Sequence, residues 1–283
     1  MKNVLLGIII LGGLASCSEI PLPYDQSKGS LSDTTYIGPV ESPQLRNVFV
    51  EKSTGVQCNN CPKGDAAIRL FDSLYPNRIV AVGIHNGFLA NPHKAGEDTL
   101  KTQFGEDIIT FLGFQAQPSA AINRRKFDSQ PNLLVALPFW KNLIDSQLTT
   151  NTAINLALSQ VSYNAANRTV NFAVTGKFTE LVSGSLNLSV MVIEDKIEAE
   201  QKMPDGTYNP TYEQEHVLRT MFTPALGTPL NLPDQVAGRV FTKVYEEQLP
   251  AKVKPENAKL VVLVHRSSPG QTEVLQAIQA KIK

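Results

Sequence analysis

The chain has 283 residues, with 26 basic and 26 acidic side chains, and so carries no formal net charge. That balance gives no reason to expect a nucleic acid as partner. With 42% hydrophobic residues the chain can bury a sizeable core, and its length exceeds that of one typical domain.

The first residues, "MKNVLLGIIILGGLASC", set a lysine at position 2 before an apolar run from Val4 to Leu11 and then small residues. This is the pattern of a secretory signal peptide over 1–16, too short to remain as a spanning helix. Its end, Leu14-Ala15-Ser16-Cys17, resembles the bacterial lipobox, which implies that Cys17 is acylated and leads the mature chain. One acyl chain binds a membrane only marginally, so durable anchoring needs several. Residues 17–45 are rich in Ser, Pro, Asp and Gly without periodicity and read as a lipidated flexible tether. No later apolar run reaches the ~18 residues of a membrane-spanning helix.

Asn47–Glu51 is a short β-type run, followed by "STGVQCNNCPKG". From Lys63 the apolar residues Ala66, Ala67, Leu70, Phe71 and Leu74 form one helical stripe. Ile79–Ile84 is nearly all apolar, as in a strand covered on both faces. Strand, helix and strand make a βαβ unit with parallel pairing and a right-handed crossover. Residues 86–96 read as a loop, and 97–112 as a helix or two short ones interrupted at Gly105. Pro118 opens a further strand over Ala120–Asn123, and a helix is expected over Leu137–Leu148. Beyond it "AINLALSQVSY", "RTVNFAVTGKF" and "GSLNLSVMVIED" alternate with period two. A long excursion at 196–240 follows, then another strand in "KLVVLVHRS" and a closing stripe at Val274, Leu275 and Ile278, helix or strand. The expected organisation is an α/β domain at 46–150 followed by an all-β, sandwich-like domain at 151–283.

The chain has three cysteines, two of them in "CNNC". Zinc takes about four Cys or His ligands, and the four histidines, at 85, 93, 216 and 265, form no paired spacing. No metal is expected at the pair. A c-type haem site would need a histidine after the second cysteine; Pro62 stands there, and no cofactor is called for. A structural disulfide suits an exported chain, but so small a loop contributes only ~2 kcal/mol. A redox pair is the other reading. A helix start favours an anion and so the Cys58 thiolate, with Cys61 placed to resolve a mixed disulfide.

A β-strand, C-x-x-C opening a helix, a second strand and a proline before a later strand resemble the thioredoxin fold. The resemblance implies a cis bond at Gln117–Pro118 across from the cysteines, where Gln117 and Pro118 would hold substrate backbone. It also implies a Cys58 more accessible than Cys61. This chain departs from thioredoxins at Gln57, where tryptophan is common, and at Gln117, where a small β-branched residue is common. The carboxylate that assists thioredoxin proton transfer aligns nearest Lys52, with Glu51 one place away. Glu51 and His85, which ends the strand in "IHNG", are possible modulators. The polar group Tyr212, Glu213, Glu215, His216 and Arg219 in "TYEQEHVLR" reads as a solvated helix turn.

The lipobox, "VFVEKSTGVQCNNCPKG", "GIHNG", "PSAAINRR" and the β-rich region with "EQEHVLR" together resemble the outer membrane protein twenty-eight family of Gram-negative lipoproteins. That resemblance implies an outer-membrane lipoprotein on its periplasmic or cell-surface face. Two functions stay open. One is thiol–disulfide exchange with the thiols or disulfides of exported proteins. The other is a surface adhesin or binding module for a protein ligand, with the cysteines non-catalytic.

Overall fold

The computed structural model describes residues 32–283 except residues 95, 98 and 269. The stretch read as a signal peptide, Cys17 and the first part of the expected tether lie outside the described residues. Chain order begins with β1 (Thr34–Ile37), β2 (Val48–Thr54), α1 (Cys61–Leu74) and β3 (Ile79–His85). Next come α2 (Gln103–Leu112), β4 (Ser119–Ile122), β5 (Leu134–Ala136) and α3 (Trp140–Gln147). Then follow β6 (Ile154–Asn164), β7 (Thr169–Phe178), β8 (Leu186–Glu194), β9 (Ile197–Lys202) and β10 (Tyr208–Gln214). The chain closes with β11 (Val217–Met221), β12 (Thr228–Pro229), β13 (Arg239–Gln248), β14 (Ala258–Arg266) and β15 (Val274–Lys281).

One nine-stranded sheet runs β15-β14-β8-β11-β3-β2-β4-β5, with β12 beside β8. β2 and β3 pair in parallel from Val48↔Ile79 to Thr54↔His85, the βαβ unit expected from the sequence. β4 lies antiparallel to β2 on its other side. The sheet crosses the change of pattern near residue 150 through β11, which pairs with β3 in parallel at Val217↔Gly83 and antiparallel with β8. A four-stranded sheet, β1-β13-β7-β6, packs over the β8–β14 half.

The period of two along each strand sorts the side chains onto two faces. Val48, Val50, Ile79, Ala81, Ala120 and Ile122 share a core with Ile68 and Phe71 of α1 and with Trp140 and Ile144 of α3. On the opposite face Phe49, Val80, Val82 and Ile84 pack with Ile108, Ile109 and Leu112 of α2. Met191, Ile193, Val261 and Leu263 continue that second face into the β-rich half. Leu188, Val190, Leu260, Val262 and Val264, one step out of phase, meet Phe172, Val174 and Phe241 of the four-stranded sheet. The fold is therefore an α/β, thioredoxin-like region joined to a β-rich sandwich.

Several expectations need correction. Gly105 does not interrupt a helix; it lies inside α2, which starts only at Gln103. A Cβ at Gly105 would come within 2.9 Å of Ile84 Cγ2, so the glycine lets helix and strand approach. Thr102 caps α2 by accepting the Gly105 N–H at 3.0 Å, and Gly113, at φ 77°, ends it. The helix expected over 137–148 is present as α3, Trp140–Gln147, but its first residues, Leu137–Phe139, form a short 3₁₀ turn. The tether is ordered from β1 onward: β1 pairs with β13, and Leu45 bridges to Asn151. "TYEQEHVLR" is no helix turn; it spans the end of β10 and the start of β11.

Candidate functional site

The loop after β2 delivers the cysteines to the start of α1. The Cys58 N–H donates to the Gly55 carbonyl at 3.0 Å, and the Cys61 N–H to the Cys58 carbonyl at 3.1 Å. α1 begins at Cys61, with Pro62 in its first turn, where the missing N–H costs nothing. Asn60 precedes it without a capping side-chain hydrogen bond, and no acidic residue stands in the first turn. Cys58 and Cys61 are joined in a disulfide. Asn59 and Asn60 between them are exposed.

The Gln117–Pro118 bond is cis. Pro118 sits over the first turns of α1: a Cβ built at Gly64 would lie 3.2 Å from Pro118 Cβ and 3.3 Å from Trp140 Cη2. A side chain at this position would press on both, so glycine favours this close packing of the cysteine helix on the proline loop. The Gln117 side chain turns inward. Its Nε2 donates to the Thr54 carbonyl at 2.9 Å and to the Asn86 carbonyl and Oδ1 at 3.0 Å. Ser53 Oγ donates to the same Asn86 Oδ1 at 2.7 Å, which closes a polar layer under the cysteine loop. Gln117 can thus serve a substrate through its main chain alone.

Beneath α1 lies a buried charge pair. Lys52 shares the α1 face of the sheet with Val48 and Val50, and its ammonium bonds Asp65. Asp65 stands four residues after Cys61, on the same side of the helix one turn on. Burial, and then the charge of Arg69, push the Lys52 ammonium down to about 7. The other Asp65 oxygen accepts the Tyr212 hydroxyl of β10 at 2.9 Å. Glu51, one place earlier, points to the opposite face. There it accepts Arg124 Nε at 2.8 Å and Nη2 at 2.6 Å, both side chains fully buried, and so it is not brought to the cysteines.

His85 is brought to the cysteine face. It pairs across the sheet with Thr54, within the field of Lys52. It is buried beside the Gln214 side chain, and burial pushes it down to about 3. It is therefore neutral at physiological pH.

The feature not legible in the sequence is the β9–β10 hairpin, which lies along the cysteine loop. The Lys202 N–H donates to the Val56 carbonyl at 2.8 Å. Gln201 Nε2 donates to the Cys58 carbonyl at 3.1 Å and to the Gly55 carbonyl at 3.4 Å, and Gln201 Oε1 accepts Gln214 Nε2 at 3.0 Å. Cys58 is only 3% exposed and Cys61 not at all. The expected difference in accessibility is therefore nearly absent. The group read as a solvated turn is only partly solvated: Glu213 is exposed, but Tyr212 reaches Asp65, and Arg219 pairs with the buried Glu194 at 3.1 Å. Glu215, at the foot of the hairpin, is pushed up to about 8 by burial, then by Glu213 and Asp195. No cluster of His, Cys, Asp or Glu suited to a metal occurs among the described residues.

Residues 106–283 match the family profile of "Outer membrane protein Omp28". The chain belongs to this family. Cys58 and Cys61 precede the matched segment, so their chemistry rests on the geometry above. No curated protein matches the chain. Among solved structures, HBP35 of Porphyromonas gingivalis superposes with a TM-score of 0.66 at 20% identity, covering 86% of this chain and 77% of that one. A protein of Agrobacterium tumefaciens gives 0.53 at 15% identity, covering 86% and 97%. Both likenesses bear on fold. No helix among the described residues is long and apolar enough to cross a membrane.

Proposed function

We propose that this Omp28-family protein is an outer-membrane lipoprotein, held through Cys17, that exchanges thiols and disulfides with exported proteins. The observation that carries the reading is a disulfide at the uncapped start of a helix, packed against a cis-proline loop. In the reduced protein the Cys58 thiolate attacks one sulfur of a partner disulfide. The new bond joins Cys58 to that sulfur, and the partner's other sulfur leaves with the electron pair and takes a proton from solvent. The Cys61 thiolate then attacks Cys58 Sγ and closes the intramolecular disulfide. The partner's second sulfur leaves and is protonated in turn. Two electrons and two protons pass to the partner, and the steps reverse for a partner dithiol. The main chain at Gln117 and Pro118 aligns the partner's backbone, with no N–H at Pro118 to compete. Lys52 and Asp65, one turn below Cys61, hold the charge through which its proton is exchanged.

A second reading has its own observation. The near-complete burial of Cys58 suits an inert staple in a surface adhesin or binding module. Trapping separates the two. Cys61→Ser should retain a partner protein as a mixed disulfide in export-competent cells, and the double cysteine variant should retain none. If Cys61→Ser retains nothing, while the double variant binds cells or a protein ligand as well as wild type, the binding-module reading stands instead.

A further inference from the structure

A thiol can exchange with a disulfide only where it can reach one of the sulfurs, and here β9–β10 covers the loop that carries Cys58. The hairpin is a two-stranded sheet of its own, outside both larger sheets. Both of its roots are non-glycine residues in the left-handed region, Lys196 at φ 56° before β9 and His216 at φ 59° after β10. Such backbone is uncommon outside glycine, and hinges are a few element-terminal residues that absorb a change in φ and ψ. We propose that β9–β10 is a lid hinged at Lys196 and His216, and that exchange proceeds only with it open, when an extended segment of the partner protein takes over the carbonyls of Gly55, Val56 and Cys58. The proposal rests on the exchange reading for its partner, but the lid itself can be tested without one.

The closed lid is held by contacts of a kind that can be made and broken. On its underside are the Lys202 main-chain bond, the Gln201 amide and the Tyr212 hydroxyl. At its outer side Glu200 accepts from His93 and Lys94, each at 2.6 Å. The His93 ring stacks on Tyr208 with centroids 3.8 Å apart. Its apolar packing includes a small cluster of Val56, Leu100 and Val217 with Ile197 and Ala199. A solvent-open groove of about 580 Å³, bordered by Val56, Leu100, Ile197, Ala199 and Arg219, runs beside β9. Segments that open are drawn from the parts of a fold with few buried apolar contacts.

The lid mimics a bound strand. Lys202 offers a main-chain N–H to Val56 as an added peptide strand would, yet β9 and β10 contain no cysteine and cannot react. Opening also withdraws Tyr212 from Asp65, so the charge pair below Cys61 loses a hydrogen bond as the sulfurs gain access.

The test is the rate at which iodoacetamide alkylates Cys58 in the reduced full-length chain. Two variants loosen the lid at separate points: Gln201→Ala on its underside, and Tyr208→Ser on its outer side, away from the cysteine loop. Each should alkylate about tenfold faster than wild type, the loss expected for one hydrogen-bonding or stacking contact. Exchange of the Lys202 amide hydrogen should quicken in parallel, with β2 and β3 as protected as before. Unchanged alkylation in both variants overturns the lid, as does a rise matched by equal loss of protection in β2 and β3. Faster alkylation with no partner captured by Cys61→Ser upholds the lid and removes the exchange reading. A captured partner with no acceleration does the reverse.

Discussion

The cysteine helix and the hairpin across from it were written into the sequence in different ways. α1 is announced locally: two cysteines at fixed spacing, a proline in the first turn and an apolar stripe all fall within a few residues. β9–β10, "IEAEQK" and "YNPTYEQ", alternates only over Ile197–Glu200, and the polar residues beyond face a loop and a helix rather than a large core. Its decisive contact, Tyr212 with Asp65, spans 147 residues. The lesson is that a motif's chemistry can be local while its control is distant.

The largest effect is expected at the cysteines themselves. Cys58→Ser should abolish exchange with a model disulfide, and Cys61→Ser should stop the reaction at the mixed disulfide, which non-reducing electrophoresis detects. The next largest effect concerns stability alone. Arg124→Met strands the Glu51 carboxylate in a fully buried site and should cost ~3–5 kcal/mol in urea unfolding. Because Glu51 faces away from the cysteines, the variant's rate constant for exchange, measured while still folded, should stay near wild type. A large loss of rate would mean that Glu51 serves the pair after all.

Gly64→Val probes the approach of helix to proline loop. Its added methyls would meet Pro118 and Trp140, and overpacking of this kind costs ~1–3 kcal/mol. Unchanged stability would show that the two elements are less tightly seated than described. The smallest step is a slope. His85 is held near 3 by burial, against an unfolded value of about 6.5. Between those pH values the unfolded chain binds a proton that the folded chain refuses, so acid favours unfolding. Stability should fall by up to ~1.4 kcal/mol per pH unit for this residue as pH drops below 6.5. His216, pushed down to about 4, and His265, to about 3, add to the loss. His85→Gln should reduce the slope by one proton, whatever it does to stability at neutral pH.

Much of the fold was legible because its signals are periodic. The period-two runs at 154–164, 169–178 and 186–194 are all strands, but the alternation shows in burial mainly in β7: β8 is buried on both faces between the two sheet cores, and β6 is buried only over its first three residues. The parallel βαβ unit followed from an apolar run too continuous for a half-exposed strand. What stayed hidden was pairing between distant segments. The join of β11 to β3 rests on one parallel register pair, and no local pattern encodes it. Within the site, Cys58 and Cys61 were legible from their spacing and Pro118 from the resemblance to the thioredoxin fold, whereas the Lys52–Asp65 pair was not. A lysine in the strand and an aspartate in the helix each read as ordinary polar residues until the fold sets them together.

Exchange requires a Cys58–Cys61 bond that cellular partners can reduce, and an equilibrium redox titration of the full-length chain against dithiothreitol tests that most directly. The reading predicts a reduction potential above about −300 mV, within reach of cellular exchange partners. A value well below that would make the bond a permanent staple and contradict it.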